Sequence, residues 1–166
     1  MIAYLNGEFK VKNPAYFIVE CNGVGYQVNI SLNTFSKLQT LDKGKIHTYL
    51  HIREDAQILY GFADESEKNL FISLISVQGV GTNTARMILS SMSPADLEEA
   101  IRTENDVLIQ RIKGVGPKTA KRLVIDLKDK IGKGAGATEN SFGFGHNTMK
   151  EEALSALAML GFTRQQ

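Results

Sequence analysis

Two short segments of this chain have the residue types and spacing to hold phosphate. Gln78-Gly79-Val80-Gly81-Thr82-Asn83-Thr84-Ala85-Arg86 recurs 35 residues later as Lys113-Gly114-Val115-Gly116-Pro117-Lys118-Thr119-Ala120-Lys121. The flanks match as well: Leu74 and Val77 correspond to Ile109 and Ile112, and Ile88 and Leu89 to Leu123 and Val124. An apolar run, Gly-Val-Gly, then Thr-Ala and a second apolar run reads as helix, tight turn, helix. The first glycine of each turn, Gly79 or Gly114, ends one helix and can take a positive φ. The second, Gly81 or Gly116, lets the backbone approach a neighbour closely. The amides that open the following helix have no internal acceptor and sit at the positive end of its dipole, where a phosphate oxygen binds well. Such a helix-hairpin-helix binds DNA without reading bases. The other reading is a repeat of two helical hairpins that bind nothing.

Net charge is only +1, but its distribution favours binding. Residues 111–133 hold eight basic side chains against Asp126 and Asp129, a local excess of +6, on and after the second turn. Residues 66–110 sum to −3, and the segments 1–65 and 134–166 to −1 each. A solvated helix face is the bland reading of such a run, but its overlap with the glycine turn points to phosphate docking. His47, His51 and His146 lack partners at ligand spacing, so no metal site is expected. The sequence has no G-x-x-x-x-G-K-[ST], so nucleotide binding of the P-loop kind is not expected either, and no cofactor is implied. The single Cys21 excludes an internal disulfide and fits a reducing, cytoplasmic setting. The start, MIAYLNGEFK, does not read as a secretory signal, and no apolar run approaches the ~18 residues of a membrane span.

The elements that must position these turns are legible in outline. Ile2–Leu5, Phe9–Val11, Tyr16–Cys21, Tyr26–Ile30, Ile46–His51 and Gln57–Phe62 read as strands. Asn22-Gly23 is a hairpin turn, and 32–40 a short helix or loop. Five or six short strands within residues 1–63 predict a small OB-like barrel. Its aromatics, Tyr4, Phe9, Tyr16, Phe17, Tyr26, Tyr49, Tyr60 and Phe62, suit a barrel core or subunit interface better than a stacking surface for single strands. From Asp64 the period turns helical: a stripe through Leu70, Phe71, Leu74, Ile75 and Val77, a helix Thr84–Ser91, and a third begun by Ser93-Pro94. Asn105 caps a helix Val107–Lys113, and Pro117 starts one running to about Ile131. Neither hairpin buries its stripe alone, so the two must pack together over 64–131. Residues 132–147, GKGAGATENSFGFGHN, read as a linker, and Lys150–Leu160 as an amphipathic helix with Leu154, Leu157 and Leu160 on its stripe. The fold class is α+β and multidomain.

Arg53-Glu-Asp-Ala-Gln-Ile-Leu-Tyr-Gly-Phe62 and Lys113-Gly-Val-Gly-Pro-Lys-Thr-Ala-Lys-Arg-Leu123, with the order barrel, double hairpin, linker and Leu-Gly-Phe helix, resemble the RuvA family of bacterial Holliday-junction recognition subunits. The resemblance covers essentially the whole chain. It implies a non-catalytic subunit that holds an open four-way junction on the flat face of a homotetramer, or of two tetramers as an octamer. It implies partnership with the RuvB hexameric ATPase that drives branch migration in recombination and repair, and with the RuvC resolvase. Residue by residue, it places the turns Gly79, Val80, Gly81, Thr82, Asn83, Thr84 and Gly114, Val115, Gly116, Thr119 on phosphates, with Lys118, Lys121 and Arg122 flanking the duplex. Thr82 and Asn83 stand where a basic or helix-starting residue is often found, so the first hairpin is the less basic one. Glu54 and Asp55, by themselves ordinary turn acids, match the family's acidic pin, with Arg53 beside them. Four pins at a four-fold axis would make a negative centre that straight duplex cannot cross. Residues 148–166 match the first helix of a three-helix UBA-like module that contacts the motor, an incomplete domain in this chain.

Two other function classes fit part of the pattern. DNA glycosylases and nucleases also use this hairpin, and Lys118 with Asp126 are the nominal catalytic pair, although no base-sized pocket is evident. A generic duplex- or RNA-binding module needs only the hairpins.

Overall fold

A computed structural model describes the backbone of residues 1–134 and side chains through residue 128. The expected Lys150–Leu160 helix, and all but the first three residues of the expected linker, lie outside the described residues. Those three continue the last helix to Gly134.

Five strands close a barrel: β1 (Tyr4–Asn13), β2 (Tyr16–Cys21), β3 (Val24–Ile30), β4 (Lys43–Ile52) and β5 (Gln57–Phe62), in the order β1-β2-β3-β5-β4. The β3–β5 pair is parallel, Val28 opposite Leu59, and the other pairs are antiparallel. This is the OB-like Greek key that the sequence predicts. The first two predicted strands are one. Residues 4–8 of β1 pair with β4, residues 8–13 with β2, and a bulge between Phe9 and Val11 turns the strand from one partner to the other. A bulge interrupts the two-residue alternation, so the sequence reads as two strands. Asn22 (φ 51°) and Gly23 (φ 84°) form the tight primed turn between β2 and β3. Leu5, Phe9, Phe17, Val19, Val28, Ile30, Ile46 and Leu59 fill the barrel, joined by Leu38 of helix α1 (Leu32–Leu38). At Gly61 no side chain fits: a Cβ there would lie 2.4 Å from Val28 Cγ1 and 2.6 Å from Ile46 Cδ1.

Five helices follow: α2 (Glu65–Ile75), α3 (Thr82–Ser91), α4 (Pro94–Arg102), α5 (Asp106–Gln110) and α6 (Pro117–Gly134). Asp64, Ser93 and Asn105 cap α2, α4 and α5 with their side-chain oxygens. The two hairpins share one core, in which Leu74, Ile88, Leu89, Leu97, Ile101, Ile109, Leu123 and Leu127 are fully buried. Tyr60 and Phe62 belong to that core too. Their rings lie 5.1 and 5.0 Å from Phe71 of α2, with Tyr49 at 5.6 Å from the same ring. The outer face of β5 is therefore the platform for the helices, which bury Tyr60 and Phe62 and leave neither open to a base. Tyr4 is an exception to inward alternation: it is exposed, with the Lys45 ammonium 4.6 Å from its ring centre.

A buried carboxyl joins the barrel to the helices. Glu67 of α2 is fully buried and accepts from the Ser31 hydroxyl and from Thr34 Oγ1 (2.8 Å). Thr34 Oγ1 in turn accepts from the Ala63 amide (3.1 Å). Burial pushes the Glu67 carboxyl above its ordinary 4.5, against the two hydroxyl donors that favour the anion. A raised folded-state value means that this group's stabilisation is full below pH 4.5 and is lost as pH rises through the raised value. Glu67→Gln is expected to remove that dependence. Urea midpoints at pH 5 and pH 8 should then lie closer together than in the wild type, and an unchanged gap would assign the dependence to other groups.

Candidate nucleic-acid interface

The duplicated sequence gives duplicated geometry. Gly79 has φ +91° and Gly114 +90°. The Val77 amide donates to the Leu74 carbonyl at 3.1 Å, and the Ile112 amide to Ile109 at 3.2 Å. The Val80 amide donates to Val77 and the Val115 amide to Ile112, each at 3.0 Å. The first bonds of α3 and α6 run from Ala85 to Gly81 and from Ala120 to Gly116, each at 2.9 Å. Gly79 and Gly114 thus hold a left-handed conformation that a side chain would strain. Gly81 differs: its backbone is extended (φ −83°, ψ 170°), and no side chain caps α3. A Cβ on Gly81 or Gly116 would meet no atom of the protein within 4 Å. Glycine at these two positions answers no need of this chain's own packing. Its consequence is access from outside to the amides that precede the first helical bond: Gly81, Thr82, Asn83 and Thr84 in one turn, Gly116, Lys118 and Thr119 in the other.

Three of the expected DNA contacts need correction. Val80 and Val115 are each 5% exposed, and their amides already serve the turn, so neither can bind phosphate. Thr82 is also buried, with Oγ1 taking the Tyr60 hydroxyl at 2.9 Å, and only its backbone N–H remains for a ligand. Helix α3 begins there, two residues before the expected Thr84. Asn83 is exposed, and Thr84 and Thr119 are half-buried.

The basic side chains of the second hairpin face an open groove. Lys118, Lys121, Arg122 and Ile125 of α6 line it with Gln78 and Gly79 of the first turn. Lys118, Lys121 and Lys113 are exposed, and among the described residues none pairs with an acid. Lys128, by contrast, pairs with Glu104, and Arg102 with Glu99. Asp126 also lines the groove, eight residues from Lys118 and so about 12 Å along the helix. Among the described residues, no cluster of His, Cys, Asp or Glu could hold a metal ion.

Two participants were not legible in sequence. Arg86, the repeat counterpart of Lys121, donates to the Ala15 carbonyl of the barrel at 3.1 Å. Gln78 accepts from Arg122 Nη1 at 2.8 Å, across from one hairpin to the other. Both contacts are tertiary, and the repeat signals only the second, through Gln78 standing where the other copy has Lys113.

The barrel holds α3 at both ends and in between. Tyr60 meets Thr82 at its start, Arg86 reaches Ala15, and Asn33 Nδ2 donates to the Leu89 and Met92 carbonyls at its end, the latter at 2.7 Å. Glu54 and Asp55 are exposed at the β4–β5 turn, which the Arg53 amide closes on the Ala56 carbonyl at 2.8 Å. From Asp55 the chain runs into β5 and reaches Tyr60 within at most about 16 Å. Arg53 leans back, its Nε donating to His51 Nε2 at 3.0 Å.

Comparison with known proteins agrees with this arrangement. Residues 1–61 match the RuvA N-terminal domain, and residues 71–129 match a SAM-like helix-hairpin-helix tandem. A Holliday junction branch migration complex subunit RuvA from Christiangramia forsetii is 51% identical over 166 residues, covering 100% of this chain and 86% of the relative. Its namesakes from Bacteroides thetaiotaomicron (51% identical) and Cytophaga hutchinsonii (47%) cover 98% and 99% of this chain, and each is covered over 84% of its own length.

Proposed function

This chain belongs to the RuvA family, and from that membership and the geometry above we infer that it is a non-catalytic subunit that binds Holliday junctions and supports branch migration. The observation that carries the DNA-binding role is the pair of turns whose second glycines clear space that the protein itself does not use. Phosphate oxygens fill that space, held by the amides of Gly81, Asn83 and Thr84 in one turn and of Gly116, Lys118 and Thr119 in the other. Lys118, Lys121 and Arg122 add charge without reading bases, which suits a protein that must act at any sequence. The first hairpin's counterpart of Lys121, Arg86, gives one N–H to the Ala15 carbonyl of the barrel, and the local charge excess of +6 lies on and after the second turn. The second hairpin supplies more of the salt-sensitive affinity.

Junction selectivity comes from Glu54 and Asp55 as an acidic pin. Four copies of the chain, assembled as a homotetramer, surround one centre with these carboxylates, where exchanging strands part and a continuous duplex is repelled. The motor of the complex is the RuvB ATPase, and the RuvC resolvase acts on the same junction, in the bacterial cytoplasm. What supports these partner assignments is the family's place in a branch migration complex.

Salt dependence tests the phosphate contacts. Each neutralised phosphate contributes about −0.9 to the slope of log K against log salt concentration. Lys118→Ala and Lys121→Ala are each expected to make the slope for a four-way junction shallower by about that amount. A slope unchanged by both would mean that these side chains do not touch the DNA backbone.

A further inference from the structure

We propose that Gln78 is a positioning residue that aims Arg122 at the DNA backbone and couples the two hairpins into one phosphate clamp. The proposal rests on the phosphate-binding reading of the groove given above. The two copies of the repeat differ at this point. The counterpart of Gln78 in the second turn is Lys113, and the counterpart of Arg122 in α3 is Met87. A bond from one turn to the opposite helix therefore exists on one diagonal of the paired hairpins and has no polar equivalent on the other.

The chemistry of the pair suits positioning. Gln78 follows the α2 C-terminus and precedes Gly79, in a turn fixed by the Val80-to-Val77 bond, so its backbone is held in place. Its Oε1 accepts one Arg122 N–H at 2.8 Å. A neutral acceptor restrains the guanidinium without cancelling its charge, and the remaining donors of the planar fork stay available for a phosphate. An unrestrained arginine on an exposed helix face samples many rotamers and loses that freedom on binding. Ile125, one turn further on α6 and 70% exposed, gives the same groove an apolar wall. Both members of the pair are exposed, so removing either leaves the core untouched.

A double-mutant cycle on the full chain tests this, with a labelled synthetic four-way junction titrated at several sodium chloride concentrations. Gln78→Ala is expected to weaken binding about three- to tenfold with the salt slope unchanged, because the charge remains. Arg122→Ala should weaken it further and make the slope shallower by about 0.9. Gln78→Ala should cost nothing more in the Arg122→Ala background. Gln78→Glu keeps an acceptor but neutralises the arginine, so its slope should match that of Arg122→Ala. Equal losses from Gln78→Ala in both backgrounds, or none in the wild type, would overturn the positioning role and leave the groove assignment standing. If Arg122→Ala changes neither affinity nor slope, the groove is not a phosphate site and the proposal fails with it.

Discussion

Replacing Gly81 and Gly116 together with aspartate is expected to leave the chain as stable as the wild type, or more so, and to reduce junction affinity at least a hundredfold. Each position is open: a Cβ meets nothing within 4 Å, and neither glycine has a positive φ. At Gly81 the backbone is extended and no side chain caps the helix, which is the conformation in which Asp is a preferred N-cap. A carboxylate there accepts the amides of the first turn and favours the helix dipole, a stabilisation of up to about 1 kcal/mol per helix. Those are the amides assigned to phosphate. The carboxylate both occupies them and repels the incoming anion. Hydrogen bonds to a charged group contribute about 1.5–3 kcal/mol each, so losing one or more at both turns accounts for the expected fall. Stability and binding thus move in opposite directions, which general damage to the fold cannot mimic. Binding that survives in a well-folded double variant would remove the turns from the interface. Gly114→Ala is a useful contrast. It strains a left-handed turn (φ +90°) and should lower stability and binding together.

The second large effect concerns selectivity. Glu54→Gln with Asp55→Asn keeps size and removes charge at the β4–β5 turn. Both acids are exposed and among the described residues neither takes part in an ion pair, so nothing in the fold depends on their charge. Their effect lies in what they repel. A junction lets its strands splay around a negative centre, whereas a straight duplex must bring phosphates across it. At physiological salt the repulsion acts over a Debye length of about 8 Å, so it is felt at the centre and not along the arms. The double variant is expected to bind linear duplex about tenfold more tightly and junctions at least as well, so discrimination falls. Unchanged affinity for both substrates would make these residues ordinary turn acids.

What the sequence revealed and what it hid divide along the range of the interactions. The turns were legible because their geometry is local: Gly79 and Gly114 must take positive φ, Pro117 starts a helix, and Ser93 and Asn105 cap the next ones. The shared core followed from two stripes too narrow to close alone. Contacts between distant elements were not legible. Arg86 carries no mark in the repeat of the bond that it makes to the Ala15 carbonyl of the barrel. Thr82 reads as a phosphate-contacting turn residue ahead of a helix at Thr84, until Tyr60, from a barrel strand, takes its hydroxyl. Nothing in the sequence marks Glu67 as buried, yet it lies beneath Ser31 and Thr34. Strand β1 reads as two strands because its bulge between Phe9 and Val11 breaks the two-residue alternation. The valines of the two turns carried the motif but not the contact, since each gives its amide to the turn itself.

Competition binding of the purified chain decides whether it is a junction-recognition subunit. A labelled four-way junction is challenged with linear duplex of the same arm sequences and with an RNA hairpin, at a fixed physiological salt concentration. The expected result is that the duplex displaces the junction only at about tenfold or greater excess, that the RNA hairpin does so less well still, and that changing the arm sequence alters nothing. Equal competition by junction and duplex, or preferential binding of the RNA hairpin, would contradict junction recognition and leave a generic nucleic-acid clamp.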